Sequence, residues 1–336
     1  MHCNFADSGV YISSLGKISP CCNILKGSDF RSLNQFYTED LFKEIRSYNE
    51  TDITQSPYCI GCAKSDWNLQ KRSKDIIPNP KSNVLQRMDI SFGNSCNLNC
   101  VMCSNYFSSS WNDIITDYAD EYTSIFHNKK LRYYDITYNQ IDEILSIIEQ
   151  HKTLESVIIK GGEPFYNKKT LYFLEKLYKG LDIQIVTNAT IINEKILEVL
   201  DRFKGVYIVV SIDGTEKIYE WIRGSSWNII EKNIEKLQRY KCNFQFTLTA
   251  YNFHALQRTY DYCKDLGDFN LIIAHDPHCH LMHVGQEKFK IYKEFSNNYI
   301  QMEYNEPSLY DKNNFIKFTE MMNKVRGFNW QDINID

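Results

Sequence analysis

The chain has 336 residues, of which 43% are hydrophobic and 14% aromatic, a composition that indicates a folded globular protein and excludes a largely disordered one. Its 38 Lys and Arg residues and 42 Asp and Glu residues give a net charge of −4, which argues against general nucleic-acid binding because such proteins usually carry a basic excess. The sequence shows no signal-peptide pattern and no apolar run long enough to span a bilayer, so we expect a cytoplasmic protein without a membrane partner.

Residues 1–70 are predicted to form a small cysteine-rich module. Two short strands joined by a glycine-containing turn are expected within residues 9–20, and a short helix within 41–46. The candidate metal ligands of this module are Cys3, Cys21, Cys59 and Cys62. Cysteines in a reducing compartment indicate metal binding or catalysis rather than disulfides. Four thiolates can hold either zinc or an iron–sulfur cluster, and the spacing leaves both possibilities open.

A linker and then a domain of alternating strands and helices are predicted next. Residues 71–87 are polar and basic, which is typical of a solvated linker. The alternation over residues 88–284 indicates a parallel sheet in an α/β fold. Strands are predicted at 88–92, 156–160, 183–187, 206–212, 243–249 and 270–275. Helices are predicted around 141–148, 230–237, 289–299 and 315–325, the last two in a C-terminal segment, 285–336, that is expected to close the domain.

The first strand of this domain leads into a run of cysteines with the spacing C-x3-C-x2-C, formed by Cys96, Cys100 and Cys103. A cubic [4Fe–4S] cluster normally takes one thiolate on each of its four irons. Three thiolates would therefore leave one iron open, as a catalytic zinc site keeps one position for substrate. A zinc loop without its fourth ligand and a set of unrelated buried cysteines are the alternatives.

The second strand ends in Gly161-Gly162-Glu163-Pro164. Two glycines allow the backbone to approach a ligand closely and to adopt positive φ angles. In parallel barrels the chemistry lies at the carboxyl ends of the strands, where this turn and the cysteine run are both predicted to lie. A simple tight turn is the alternative.

The cysteine run together with the Gly-Gly-Glu-Pro turn resembles the radical S-adenosylmethionine (SAM) superfamily. The resemblance implies a partial (β/α)6 barrel and a [4Fe–4S] cluster whose open iron binds SAM. It also implies reductive cleavage of SAM to a 5′-deoxyadenosyl radical, which abstracts hydrogen from a substrate. Met102 is a small departure, because the family often has an aromatic residue before the third cysteine.

The same resemblance implies a set of residues around SAM. Its backbone and side-chain contacts are expected from Gly161, Gly162, Glu163, Asn188, Ser211 and Arg223. Because an arginine can bind a carboxylate through two hydrogen bonds, Arg223 is the candidate for the methionine carboxylate of SAM. Asp213 is a candidate catalytic residue, although it could instead cap the following helix.

The N-terminal cysteines resemble the twitch, or half-SPASM, module of radical SAM enzymes, placed here before the barrel rather than after it. This implies an auxiliary [4Fe–4S] cluster, with Cys21 rather than Cys22 as a ligand because Cys21 directly follows Pro20. A flavodoxin- or ferredoxin-type reductant is implied as a partner. The first expectation for the substrate is a peptide or protein. The alternatives are a dehydrogenase or epimerase of a small alcohol or sugar, and a non-enzymatic iron–sulfur protein.

A histidine-rich loop follows the last predicted strand and contains His275, His278, His280 and His283. Its spacing fits no standard zinc pattern, so it is expected to line a substrate pocket or to pack the loop. Cys279, in the same loop, is the second candidate catalytic residue. The aromatic residues of the long connection 104–138 are expected to pack an extra helix rather than to cover the site.

Overall fold

The computed structural model describes residues 2–24, 27–59, 62, 77, 79–295 and 304–333. Residues 71–76, which include most of the basic residues of the predicted linker, lie outside the described residues. The chain divides into two compact units. Unit 1 comprises Met1–Cys96, Tyr133–Val186 and Ile192–Tyr207, and unit 2 comprises Asn97–Arg132, Thr187–Ile191 and Ile208–Asp336.

The strands are β1 (Gly9–Ile12), β2 (Lys17–Ser19), β3 (Ser28–Asp29), β4 (Arg87–Ile90), β5 (Ser156–Ile159), β6 (Asp182–Thr187), β7 (Gly205–Ser211), β8 (Lys241–Leu248) and β9 (Asp268–Ile273). The helices are α1 (Asn4–Ser8), α2 (Gln35–Thr38), α3 (Asp40–Thr51), α4 (Trp111–Asp117), α5 (Ala119–Phe126), α6 (Tyr138–His151), α7 (Lys168–Lys176), α8 (Glu194–Leu200), α9 (Glu216–Arg223), α10 (Trp227–Leu237), α11 (Leu256–Cys263), α12 (Gln286–Phe295) and α13 (Leu309–Arg326). Strands β4 to β9 are the six predicted ones, and each boundary agrees within two residues.

In unit 1 the strand order is β3-β2-β1-β4-β5-β6. Strands β1, β2 and β3 pair antiparallel, which confirms the predicted N-terminal strand pair. Strand β1 also pairs in parallel with β4, Gly9 opposite Arg87 and Ile12 opposite Ile90, so the N-terminal strands extend the parallel run β4-β5-β6. The turn after β1 needs a glycine, because Gly16 has φ +70° and a Cβ atom there would lie 2.3 Å from the ring of Tyr134.

Helix α6 of unit 1 shows why the sequence pattern predicts these elements well. Thr137 caps its first turn in a capping box with Gln140, which satisfies backbone N–H groups that have no partner within the helix. Ile141, Ile144 and Ile148 then fall on one face and are buried. Local capping and apolar periodicity therefore specify this helix together.

In unit 2, β8 pairs in parallel with β9, which is an edge strand, so the parallel run is open rather than closed into a barrel. The fold is thus α/β with a partial barrel. A large core cluster gathers Val101 of the cysteine run with aromatic and methionine side chains, namely Trp111, Trp221, Tyr251, Phe318, Met321 and Met322. Helices α4, α5 and α13 supply many of these residues. Within the connection 104–138, the core takes up Trp111, Tyr118, Tyr122 and Phe126, as predicted, whereas the exposed aromatic residues are Tyr106, Phe107, Tyr133 and Tyr138. Within the described part of the chain, no helix is long and apolar enough to cross a membrane.

Candidate active site

The cysteine run begins shortly after β4 and forms a loop, residues 96–103, here called the cysteine loop. Cys96 and Cys100 are buried, and Cys103 is half-buried. Burial raises the pKa of the Cys100 thiol, and its Sγ lies 3.8 Å from the backbone carbonyl of Arg223, to which the S–H group donates. Cys100 is therefore held as a thiol, and a metal that binds it must displace the proton. Buried, closely spaced thiols are a donor set that suits iron.

The Gly-Gly-Glu turn after β5 packs against the segment that leads into the cysteine loop. Gly161 has φ +82° and Gly162 has φ +56°, both in the left-handed region. A Cβ atom on Gly162 would lie 2.2 Å from the carbonyl oxygen of Ser95, and the N–H of Glu163 donates to that same oxygen at 2.8 Å. The glycines are thus required by backbone conformation and by close approach to residue 95. Their contact with SAM stays a prediction.

Asn188, which follows β6, belongs to a closed set of hydrogen bonds. Its Nδ2 donates to Oδ1 of Asn97 at 3.0 Å, and Nδ2 of Asn97 donates to Oγ1 of Thr190 at 2.9 Å. The N–H of Thr190 donates back to Oδ1 of Asn188 at 2.9 Å. Asn188 therefore already holds the residue next to Cys96, whatever it contributes to ligand binding.

Beyond the end of β7, Asp213 and Arg223 form a buried ion pair, whereas Ser211 is half-buried. One carboxylate oxygen of Asp213 accepts from Nη1 of Arg223, and the other accepts from the N–H of Thr247 at 2.6 Å. Burial alone would lower the pKa of Arg223, but the charge of the Asp213 carboxylate and its hydrogen bond raise it, so the guanidinium stays cationic. The alternative that Asp213 caps the following helix is wrong, because its carboxylate is used here and Thr215 is the N-cap residue of α9.

Arg223 keeps one donor available. Its Nε atom is buried and has no hydrogen-bond partner among the described residues. A buried donor without an acceptor is costly, so this atom fits a ligand carboxylate.

The N-terminal cysteines come close together in unit 1. Cys3, Cys21 and Cys59 share an apolar cluster with Ile45 and Ile53, among others. The thiols of Cys3 and Cys21 each interact electrostatically with that of Cys62. Burial raises the pKa of Cys3 to about 11 and that of Cys21 further above its usual value.

Cys22 interacts electrostatically with Tyr11 and Lys160, and also with Cys21. Its Sγ lies 3.8 Å from Oδ1 of Asn23, whose Nδ2 donates to Sγ of Cys62. The choice of Cys21 over Cys22 as a candidate ligand stays a prediction. Over the described residues as a whole, no group of three or more His, Cys, Asp or Glu side chains has the geometry of a preformed metal site.

The histidine-rich loop is tied down by its own packing. Nε2 of His283 donates to the carbonyl of Pro277 at 2.7 Å, and its ring stacks on Phe315 at 4.4 Å. His275, His280 and His283 line a cavity of about 260 Å³. Cys279 is fully buried, and burial raises the pKa of its thiol well above the usual value, so it is protonated.

Several residues that the sequence analysis did not single out complete the site. Ser95 and Asn97 flank the first cysteine and bond the Gly-Gly-Glu turn and Asn188, while Thr247 holds Asp213. Proximity to Cys96 in the sequence was the available signal for Ser95 and Asn97. Nothing in the local pattern points to Thr247, which acts through its backbone.

The sequence profile of the radical SAM superfamily matches residues 90–263, a range of 174 of the chain's 336 residues that contains the cysteine loop and the Gly-Gly-Glu turn. The chain therefore belongs to the radical SAM superfamily, and it is an enzyme that uses a [4Fe–4S] cluster and SAM. No curated protein matches the chain in sequence.

Two solved structures illustrate the similarity. anSMEcpe with bound AdoMet is 17% identical, with a TM-score of 0.43, over 73% of this chain and 62% of that one. Streptococcus suis SuiB bound to precursor peptide SuiA is 18% identical, also with a TM-score of 0.43, over 80% of this chain and 61% of SuiB. The match thus spans about three fifths of the length of each of these proteins.

Proposed function

We propose that this radical SAM enzyme abstracts hydrogen from a peptide or protein, and that Cys96, Cys100 and Cys103 hold the [4Fe–4S] cluster with the open iron. The observation that carries the proposal is the C-x3-C-x2-C run within the family match, with Cys96 and Cys100 buried and Cys103 half-buried. The run follows Ser95, whose carbonyl the Gly162 turn approaches closely. When bound, the cluster and SAM supply a 5′-deoxyadenosyl radical.

The chain's own residues bind and orient SAM in this proposal. Gly161 and Gly162 let the backbone approach the methionine ammonium, with Glu163 beside them. Asp213 fixes the guanidinium of Arg223, which leaves Nε to donate to the methionine carboxylate. Asn188 follows β6 and Ser211 ends β7. Both donate hydrogen bonds to the ribose or to the substrate. Neither Asp213 nor Cys279 is given a step at the reacting atoms.

A peptide substrate is favoured by an exposed aromatic surface close to the cysteine loop in the sequence. Tyr106 and Phe107 are 41% and 56% exposed, three and four residues after Cys103. The guanidinium of Arg132 lies 3.8 Å from the ring centroid of Tyr106. Aromatic and arginine side chains are enriched where proteins bind proteins, whereas small ligands are usually enclosed in pockets. Dehydrogenation or epimerisation of a small alcohol or sugar is the second candidate.

The N-terminal cysteines are proposed to hold an auxiliary [4Fe–4S] cluster, as in a twitch module. The proximity of Cys3, Cys21 and Cys59 in one apolar cluster supports this assignment. Zinc at the same four cysteines is the alternative. A flavodoxin- or ferredoxin-type protein in the cytoplasm is proposed as the electron donor.

The test of the core proposal is SAM cleavage by the anaerobically reconstituted protein with dithionite. The wild-type protein should release 5′-deoxyadenosine, measured by liquid chromatography and mass spectrometry, and Cys100→Ala should release none. Cys242→Ala is the matched control, because Cys242 is also buried but lies outside both cysteine groups. A reconstituted wild-type protein with full iron content and no 5′-deoxyadenosine would contradict the proposal.

The substrate class is tested by adding a pool of unmodified cytosolic peptides or a panel of alcohols and sugars. Peptides should raise 5′-deoxyadenosine formation above the basal rate, and replacing Tyr106 and Phe107 by serine should remove that increase while the basal rate stays unchanged. Stimulation by an alcohol or sugar alone would favour the second candidate.

A further inference from the structure

Four consecutive carbonyl groups of the cysteine loop each accept a hydrogen bond from a side chain of unit 2. The bonds run from Ser108 Oγ to Leu98 at 2.5 Å, from Arg326 Nη2 to Asn99 at 2.8 Å, from Trp111 Nε1 to Cys100 at 3.2 Å and from His278 Nε2 to Val101 at 3.2 Å. These four donors are here called the carbonyl brace. Because a carbonyl only accepts, His278 carries its proton on Nε2.

The donors of the carbonyl brace come from three separate parts of the chain. Trp111 is the first residue of α4 and Ser108 precedes it by three residues. His278 lies in the loop after β9, and Arg326 at the end of α13. Ser108 and Trp111 are each 1% exposed and His278 is 7% exposed. Buried donors that lose their acceptors cost free energy, so the loop backbone and these elements hold one another in place.

Further contacts fix the same stretch of backbone. The N–H of Val101 donates to the carbonyl of Ile222 at 2.9 Å. Arg326 also donates from Nη1 to the side chain of Asn99 at 2.5 Å and from Nε to the carbonyl of Trp221 at 2.6 Å. The cysteine loop is thus held by its backbone, independently of its thiols.

The carbonyl brace also determines where the loop's N–H groups point. The described peptides are trans, so each N–H points away from the carbonyl of the preceding residue. The carbonyls of Leu98, Asn99 and Val101 are directed to their donors. The N–H group that follows each of these carbonyls therefore points away from that donor. An N–H group that donates to a cluster sulfur stabilises the more negative, reduced cluster and so raises its reduction potential.

We propose that Ser108, Trp111, His278 and Arg326 are positioning residues that hold the cysteine loop in the shape that retains the [4Fe–4S] cluster and sets its reduction potential. This inference rests on the proposed function, since it takes Cys96, Cys100 and Cys103 as the ligands. It adds that the ligand thiols depend on donors up to 227 residues away in the sequence.

His278→Met is the first test, because methionine fills a similar volume without a hydrogen-bond donor, and His278→Gln keeps an N–H donor. Thr259→Val is the matched control, since it removes a buried hydroxyl donor of unit 2 that is bonded to the carbonyl of Ala255, the N-cap residue of its own helix. Each reconstituted holoenzyme is treated with a chelator, and iron release and the midpoint potential are measured. The same two measurements on Cys100→Ala give the signal from iron that the cysteine loop does not hold.

Iron release from the three-cysteine cluster should rise on the order of tenfold in His278→Met, as for other partners of metal ligands, with a more negative midpoint potential. His278→Gln should stay close to wild type, and Thr259→Val should lower Tm without faster release. Ser108→Ala should change release in the same direction by a smaller factor, which keeps the test valid if His278→Met does not fold. If both His278→Met and Ser108→Ala release iron at the wild-type rate and keep the wild-type potential, the proposed role of the carbonyl brace is overturned. A wild-type protein that holds no cluster dependent on Cys100 would instead refute the proposed function.

Discussion

The two groups of cysteines are assembled in opposite ways. Cys3, Cys21 and Cys59 come from distant positions and meet in an apolar cluster, so the fold must gather them. Cys96 to Cys103 lie within eight residues, so spacing gathers them and the fold acts on the backbone between them. A substitution in the surrounding packing should therefore separate the cysteines of the first group. In the second group it should only weaken the hold on the loop backbone. The predictions below test this contrast.

The largest effect should come from removing one ligand from each group. Cys100→Ala is expected to eliminate 5′-deoxyadenosine formation, whereas Cys59→Ala should keep SAM cleavage while iron falls from about eight to about four atoms per chain, because two cubic clusters hold eight irons. Iron analysis and the SAM cleavage assay measure both. If Cys59→Ala retains four irons but cleaves no SAM, the two groups are not functionally separable. Full iron content in Cys59→Ala, or zinc in the wild type, would refute the auxiliary cluster.

Arg223→Met should be the most destabilising single change among the site residues of unit 2. It leaves the carboxylate of Asp213 buried without its cation, and breaking a buried pair in this way typically costs about 3–5 kcal/mol. Urea unfolding of the metal-free protein measures the loss. The double variant Arg223→Met with Asp213→Asn should recover part of it, because the unpaired charge is removed. An unfolding free energy unchanged in Arg223→Met would show that the pair contributes nothing to stability.

Gly162→Ala should lower stability by about 1–3 kcal/mol, the usual range for a residue forced into an unfavourable backbone conformation. The added Cβ atom would meet the carbonyl of Ser95 at 2.2 Å, which would also disturb the entry to the cysteine loop. Gly180→Ala is the control, because the nearest atom there would lie 3.7 Å from the Cβ atom. Thermal unfolding and equilibrium SAM binding measure the two effects. Equal behaviour of the two variants would contradict the close-approach argument.

The smallest expected effect is a pH dependence from unit 2. Burial lowers the pKa of His278 to about 4, although Asp276 and the bond to Val101 act in the opposite direction. Because the unfolded value is about 6.5, the unfolded chain binds more protons between these values. Neutral His278 therefore contributes stability that is complete above pH 6.5 and is lost as the pH falls towards 4. Urea unfolding at pH 7.5 and 5.5 should differ by on the order of 1 kcal/mol from this residue. His278→Gln should lack that part of the difference, and an unchanged pH dependence in the variant would exclude His278 as its source.

The sequence predicts the strands of the sheet better than the contacts of the site. Apolar runs bounded by turn residues locate β4 to β9 within two residues, because burial of a strand is a local property of its side chains. The pairing of Asp213 with Arg223 and the bond from His278 to Val101 depend on loop geometry and on tertiary packing. Such contacts leave no periodic pattern in the sequence. The spacing of the cysteines therefore predicts the candidate ligands but not the hydrogen bonds that hold the loop between them.

The parallel pairing of β1 with β4 has a consequence for the solubility of shortened chains. Strand β4 lies between β1 and β5, so both of its edges are satisfied by hydrogen bonds within unit 1. A chain that starts after β3 would expose the backbone groups along one edge of β4, beside the buried side chains of Met88 and Ile90. An uncovered strand edge of this kind pairs readily with other chains. The short N-terminal strands thus protect the chain from aggregation through the edge of β4.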